Sequence, residues 1–371
     1  MYMDSEGIWH WKHIPSSMRE TSYEDIVDSF NIISVEDFKK LNRLEQKVKV
    51  KEVISLIRAN NIYPIYYFNE DGILDEIMKC MCADVSFTGD VLNEHGKAGT
   101  VLLDYLFPNL HLAEAGTAIN NSMYSRFYDD AKLSKCIDRH MKNYRFTSMR
   151  TPFFMYARFF WPTATNFSPC RAKAICERFA KPGSVIYDFS AGYGGRMLGT
   201  LSSIESSYTY IGCEPNKNTF YNLNRLGQYI EKVTKRQDSY KLYNECSEDL
   251  VLDDDSVDFA FSCPPYYILE RYSDEDTQSI SKYPLYDHWL EHYAYPTLRN
   301  VYNSLKPDGL MGFILPGCIS YAYSKYALGD DWSKLAERCG FKFVKKFPMR
   351  TMSRKSEDTM ESLYLYRKEK C

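Results

Sequence analysis

No apolar run in this chain of 371 residues approaches the roughly 18 that a membrane helix needs, so no spanning segment is expected. The chain also has little net charge. At -3 it carries no global field that would draw it to nucleic acid, and any such binding must come from a local patch. The stretch from Met1 to Glu6 is polar and acidic, unlike a secretory leader. The 11 cysteines form no framework. Cys80 and Cys82 stand close, but at a spacing that does not suit a zinc knuckle, so free thiols in a reducing cytoplasm are expected. His10 and His13, within Trp9 to His13, lack a third ligand nearby. No metal is assigned, and a packed or capping N-terminal segment is expected. What is abundant is aromatic: 31 Tyr and 21 Phe, in a chain that is 44% hydrophobic and 26% charged and long enough for two cores. Aromatics serve cores, and tyrosine also suits flat stacking surfaces.

The organising stretch is 184–196. Val185, Ile186 and Tyr187 are an apolar run ending in Asp188. Small residues follow, with Ser190, Ala191, Gly192, Gly194 and Gly195, and a helical pattern starts near Arg196. A buried strand, a glycine-rich loop and a helix open a nucleotide-cofactor fold, though many α/β proteins use such a loop. A second apolar strand, 208–213, ends in Glu214, Pro215 and Asn216, with Glu214 26 positions after Asp188. An acid there is placed to accept two ribose hydroxyls; the alternative is a surface turn.

Upstream, 34–60 reads as helix with Ser34 as cap and Asp37 in a weak capping box. Residues 62–68 read as an edge strand because of Pro64, 73–81 as helix, and 83–120 as loops with short elements. Between 121 and 181 stand twelve Lys/Arg against four Asp/Glu, interleaved with aromatics such as Tyr144, Phe159 and Trp161. Cations neutralise phosphates and rings stack on bases, so Lys132, Lys135, Arg139 and Lys142 are candidate nucleic-acid contacts. The alternative is a solvated basic helix followed by core aromatics. Further on, strands are expected at 241–243, 257–262 and 310–315, a turn at 306–309, and helices at 170–179, 196–204, 218–232 and 332–339. A helix over 285–305 should be interrupted at Pro296. The last strands, 341–347 and 362–367, read as a terminal hairpin. Strand and helix alternation then implies an α/β, Rossmann-like sheet, mostly parallel with one antiparallel strand.

The strand at 257–262 runs straight into Cys263, Pro264, Pro265 and Tyr266. Together with the loop from Asp188 to Gly195, this resembles the class I S-adenosylmethionine-dependent methyltransferases, and among them the amino-methyltransferases of DNA. Phe167-Ser168-Pro169 is similar to the segment that closes over the methionine end of their cofactor. Glu270-x-Tyr272-Ser273-Asp274 through Gln278-Ser279 is similar to phage-borne and mobile-element DNA methylases. The resemblance covers about 166–368. It implies S-adenosylmethionine as cofactor, held by Phe167, Pro169, Asp188, Ser190, Ala191, Gly192, Gly194, Glu214, Pro215 and Asn216. Glu248 and Asp249 can reach the adenine side of the cofactor; the alternative is a surface loop. The resemblance also implies Cys263 to Tyr266 as the catalytic turn, Tyr272 among the nucleic-acid contacts, and no metal.

One departure stands out. The family's first turn residue is Asp, Asn or Ser, whose side chain accepts a hydrogen bond from the target amine; the thiol of Cys263 is a poor acceptor. Strand alternation should turn Ser262 to the opposite side. A backbone carbonyl of the Pro264-Pro265 turn can accept one N–H, Tyr266 can stack on the base, and the base must be flipped or single-stranded. Residues 1–150 read as a helical, aromatic recognition region and 151–371 as the catalytic domain. The expected activity is methyl transfer to N4 of cytosine or N6 of adenine in DNA. Two alternatives stay open: an RNA or protein amine methyltransferase, and a non-catalytic protein that retains the cofactor fold.

Overall fold

A computed structural model describes residues 1–12, 32–60, 63–85, 96–117, 121–145, 150–322, 324–349 and 361–369. The helix expected over 34–60 is two helices, α1 (Val35–Lys40) and α2 (Arg43–Asn60). Ser34 Oγ accepts the Asp37 N–H at 3.1 Å, as expected. The break comes from a second cap. Asn42 Oδ1 accepts the N–H groups of Leu44 and Glu45, while Glu45 Oε2 accepts the Asn42 N–H at 2.8 Å, a reciprocal capping box. No strand forms over 63–68. Tyr63, Pro64 and Ile65 are buried in succession, without the alternation of a strand. The Tyr63 ring stacks on Trp11 at 5.3 Å and meets Phe127 edge-on at 5.2 Å.

Among the described residues six further α-helices lead to the sheet: α3 (Glu70–Cys82), α4 (Thr100–Leu106), α5 (Met123–Tyr128), α6 (Asp130–Met141), α7 (Arg150–Phe160) and α8 (Pro169–Phe179). Val53 and Ile57 of α2, Leu133 and Ile137 of α6, and Phe153 and Ala157 of α7 share one core. Many aromatics of the basic stretch are therefore core residues. The first residues are packed, as expected. Trp11 Nε1 donates to the Tyr105 carbonyl at 2.7 Å, and the His10 ring meets the Asp4 carboxylate at 2.7 Å. His13 lies outside the described residues.

The sheet has seven strands: β1 (Val185–Asp188), β2 (Thr209–Cys213), β3 (Tyr240–Tyr243), β4 (Val257–Ser262), β5 (Leu305–Pro316), β6 (Phe341–Pro348) and β7 (Glu361–Lys368). Their spatial order is β3-β2-β1-β4-β5-β7-β6. Neighbours from β3 to β5 are parallel, and β7 is antiparallel to both β5 and β6. This is an α/β, Rossmann-like sheet, mostly parallel with one antiparallel strand, as expected. The expected turn 306–309 lies inside β5 as an irregularity: Val257 faces Leu305 but Phe259 faces Leu310, and Asp308 takes φ 66°.

Alternation along the strands feeds two cores. Tyr187, Ala260 and Phe313 face one layer; Ile186, Phe259 and Ile314 face the other. The flanking helices are α9 (Gly195–Leu201), α10 (Lys217–Thr234), α11 (Ser279–Lys282), α12 (Tyr286–Trp289), α13 (Tyr295–Ser304) and α14 (Leu328–Arg338). The expected interruption near Pro296 is a π-helical turn, Leu290–Ala294, between α12 and α13. Pro296 has no N–H to donate and sits in the first turn of α13. The N-terminal half joins this layer closely. Ile73, Leu103 and Phe107 pack with Leu198, Leu223 and Leu226. Glu114–Ala115 also pairs antiparallel with Glu270–Arg271.

Candidate active site

The chain leaves β1 toward β2 and β3, then crosses back to β4, so the crevice beyond the carboxyl ends of β1 and β4 is the switch point. Asp188 ends β1, Glu214 follows β2, Cys246 to Glu248 follow β3, and Cys263 follows β4. A cavity of about 320 Å³ opens there.

Asp188 does not line that cavity; it lies beneath it, fully buried. Its Oδ2 accepts from Arg196 Nε and the Tyr210 hydroxyl, each at 2.8 Å. Its Oδ1 accepts the Ser262 hydroxyl at 2.7 Å and the Ser190 N–H at 3.3 Å. Burial is the largest influence and works against the Arg196 charge, but Asp188, together with Cys263 and Tyr210, raises the guanidinium pKa overall. One carboxylate thus ties together the glycine loop, α9, β2 and β4.

The loop is shaped for close approach. Gly194 takes φ 76° as the cap of α9, and a Cβ there would lie 2.7 Å from Leu226. At Gly195 a Cβ would fall 2.0 Å from the Phe167 carbonyl oxygen, so the Phe167 segment crosses directly over the helix start. Asn166 Nδ2 donates to the Tyr193 carbonyl at 2.6 Å, and the Ala191 N–H to the Cys213 carbonyl at 2.8 Å. Of the residues singled out in this region, Phe167, Ser190 and Gly192 line the cavity, whereas Pro169, Ala191 and Gly194 do not. Pro169 opens α8 behind the Ser168 cap.

Glu214, Pro215 and Asn216 all line the cavity. Glu214 Oε2 accepts the Gly192 N–H and Oε1 the Asn216 N–H, both at 2.9 Å. Burial pushes its carboxyl up to about 7, against the pull of those two donors. Glu248 also lines the cavity, and Asp249 does not. Lys282 Nζ donates to Glu248 at 2.6 Å and to Asp249 at 3.1 Å. Cys246, Glu248 and Asp249 offer ligand atoms within 4.8 Å of one another, but the Lys282 ammonium already stands between the carboxylates, so no cation is assigned.

The turn Cys263 to Tyr266 forms the far wall. Cys263 Sγ lies 3.2 Å from the Tyr266 hydroxyl. Burial pushes the thiol up to about 12, with Arg196 opposing, so it stays protonated near neutrality. Tyr267 follows with φ 55°, an uncommon backbone for a tyrosine. That twist sends its ring into the core beside Trp289 at 5.4 Å and leaves Tyr266 on the cavity. Tyr272 lies in the cavity wall, with its hydroxyl donating to Glu270 Oε2 at 2.5 Å.

Lys132, Lys135, Arg139 and Lys142 are not part of this cavity. They lie on α6, whose other face carries buried Leu133, Ile137 and Met141. Lys132 pairs with Asp129 at 3.8 Å and Lys142 with Asp138 at 2.7 Å. Lys135 Nζ sits 4.2 Å from the centre of the Phe160 ring, and Arg139 is exposed.

Sequence reasoning passed over Arg196, Asn166, Tyr193 and Glu361, and gave Glu270 no role. Arg196 directly follows the glycine motif, and Glu270 opens the quoted Glu-x-Tyr-Ser stretch, so both carried a signal. Nothing local to Glu361 marks it.

No family model and no curated protein matches this chain. Among solved structures it is similar to a TehB-like SAM-dependent methyltransferase from Corynebacterium glutamicum: 13% identity, 55% of this chain and 90% of that one, TM-score 0.36. It is similar to a 1,6-didemethyltoxoflavin-N1-methyltransferase from Burkholderia thailandensis, solved with bound 1,6-didemethyltoxoflavin and S-adenosylhomocysteine: 14% identity, 54% and 77% coverage, TM-score 0.37. It is similar also to TrmN from Thermus thermophilus: 14% identity, 54% and 48% coverage, TM-score 0.38.

Proposed function

We propose that the protein is an S-adenosylmethionine-dependent methyltransferase acting on an exocyclic amino group of a nucleic-acid base, N4 of cytosine or N6 of adenine in DNA. The observation that carries this reading is the meeting, around one cavity, of the acid after β2, the glycine loop after β1 and the Cys-Pro-Pro-Tyr turn after β4.

The donor set suits the cofactor. Four carboxylates line the cavity, Glu214, Glu248, Glu270 and Glu361, against Arg171 and an Arg196 committed to Asp188. Tyr193 lines the cavity, and its buried hydroxyl has no hydrogen-bond partner among the described residues. Glu214 would hold the ribose hydroxyls, Glu248 the adenine amino group, and Phe167 with Ser190 the amino-acid end. When bound, the cofactor supplies an electrophilic sulfonium methyl and leaves as a thioether.

The chain's own residues supply position. An exocyclic amine conjugated to its ring is a weak nucleophile, so rate comes from orientation and fixed polar groups. A carbonyl of the Pro264-Pro265 turn accepts one amine N–H, and the Tyr266 ring stacks on a base taken out of its stack. Residues 1–150 serve recognition and 151–371 catalysis, with Lys135 and Arg139 of α6 as candidate phosphate contacts. Labelled methyl transfer to DNA, RNA and protein in parallel tests the reading. Label in DNA, in the N4 or N6 amino group, is expected; label in RNA or protein alone contradicts it.

A further inference from the structure

We propose that Glu270 is the hydrogen-bond and proton acceptor for the amino group that becomes methylated. This rests on the amino-methyltransferase reading above.

The need is plain from the turn itself. Cys263 carries a neutral thiol that already faces the Tyr266 hydroxyl. Ser262 donates to Asp188 and is wholly buried. A Pro-Pro carbonyl satisfies one N–H, and an amino group has two. As the N–C bond forms, the remaining N–H becomes acidic and calls for an anionic acceptor.

Glu270 meets that need. It lines the same cavity as Cys263, Pro265 and Tyr266, four positions beyond the turn. It is also held in place from three sides. Its backbone pairs with Ala115 of the N-terminal half, and the Gly116 N–H donates to the Leu269 carbonyl at 3.0 Å. The Leu269 N–H returns to the Tyr266 carbonyl at 3.2 Å, which ties the strand to the catalytic turn. The Tyr272 hydroxyl donates to Oε2 at 2.5 Å and orients the carboxylate. The thiol of Cys263 and the phenol of Tyr266 are both raised first by burial, with the charges of Glu361 and, less strongly, Glu270 among the further causes. Glu361 faces the cavity from the start of β7, opposite Pro316, but among the described residues no bond ties it to the turn as Leu269 ties Glu270.

In the step, the amino nitrogen gains a methyl group and gives up one proton. Glu270 receives that proton and releases it to water, so its charge is restored for the next turnover. The N-terminal half then contributes to chemistry, because the pairing at Ala115 sets where the acceptor stands.

The test is a binding measurement with two adenosyl probes: S-adenosylhomocysteine, and sinefungin, which carries an ammonium where the methyl donor has its sulfonium methyl. A carboxylate beside the transferring group stabilises that ammonium. Wild type is expected to prefer sinefungin by about tenfold or more, the effect of one charge-assisted hydrogen bond. E270Q should abolish the preference while binding S-adenosylhomocysteine within about twofold of wild type. E270D, which withdraws the carboxylate by one methylene, should lose most of it, and covers the case in which E270Q fails to fold. E361Q, a control for charge alone, should keep the preference. A preference retained by E270Q or E270D, one lost instead in E361Q, or no binding of either probe overturns the proposal. The pattern expected here without methyl in DNA would overturn only the substrate reading.

Discussion

The Asp188 carboxylate accepts the Ser262 hydroxyl at 2.7 Å, joining the ends of the two central strands, β1 and β4. The glycine loop and the Cys-Pro-Pro-Tyr turn therefore share one buried anchor. Asp188, read from the sequence as a cofactor contact, does its work from underneath.

Replacing Asp188 by Asn should destabilise the protein more than it changes any contact in the cavity. It leaves the Arg196 guanidinium, whose side chain is 6% exposed, without its counter-charge. Losing one partner of a buried pair costs about 3–5 kcal/mol. Ser262→Ala, which removes one hydrogen bond to a charged group, should cost about 1.5–3 kcal/mol. Denaturant titration reads both, and wild-type stability in the Asp188 variant would contradict the anchor.

Glu214 should make both stability and cofactor affinity depend on pH. Its carboxyl is raised from 4.5 to about 7 in the folded protein, so between those values the folded state holds a proton that the unfolded chain has released. The stabilisation from this group is complete below pH 4.5 and is lost as pH rises through about 7. Accepting two hydroxyls favours the ionised form, so affinity for S-adenosylhomocysteine should rise with pH through the same value, with proton release on binding. Glu214→Gln should flatten that dependence and weaken binding by about 1.5–3 kcal/mol for each hydrogen bond removed. Calorimetry across pH decides; wild-type affinity in the variant would remove Glu214 from the site.

The sheet was legible because β1, β2 and β4 are short apolar runs that lead to Asp188, Glu214 and Cys263 at the crevice. The capping box at Asn42 and Glu45 was equally legible and was passed over, so one helix was expected where two form. Other features were not local. Tyr63 has the composition of a strand residue, but rings from Trp11 and Phe127 fix it in a core. Phe153 and Phe154 look like stacking residues beside Arg150 and Arg158, yet they are buried by α2 and α6. The place of Glu270 depends on pairing with Ala115, far upstream, which no periodicity reveals.

Cys263 should be inert and replaceable, and Tyr266 should not. With its thiol pushed up to about 12, Cys263 should resist alkylation at pH 7.5. Cys263→Ser, similar in size and a better acceptor, should transfer methyl at least as fast as wild type in single turnover. Tyr266→Ala should lose stacking worth roughly 1–3 kcal/mol, and more through misorientation. Wild-type rates in Tyr266→Ala would mean the base does not stack there.

The basic helix α6 offers a separate check. Lys132 and Lys142 are paired with acids, so Lys135 and Arg139 are the better candidates for meeting phosphates. Reversing both charges should weaken DNA binding and flatten its salt dependence by about one unit of slope for each phosphate no longer neutralised, with S-adenosylhomocysteine affinity unchanged. Fluorescence anisotropy over a salt series measures this. An unaltered slope would make the helix a solvated face.

The central claim, methyl transfer to a base amino group in DNA, is met most directly by mass spectrometry of nucleosides from the DNA of cells expressing wild type, Tyr266→Ala or no protein. N4-methylcytosine or N6-methyladenine should accumulate with wild type and fall to background with Tyr266→Ala. DNA nucleosides identical in all three, with the protein present and folded, would contradict the account.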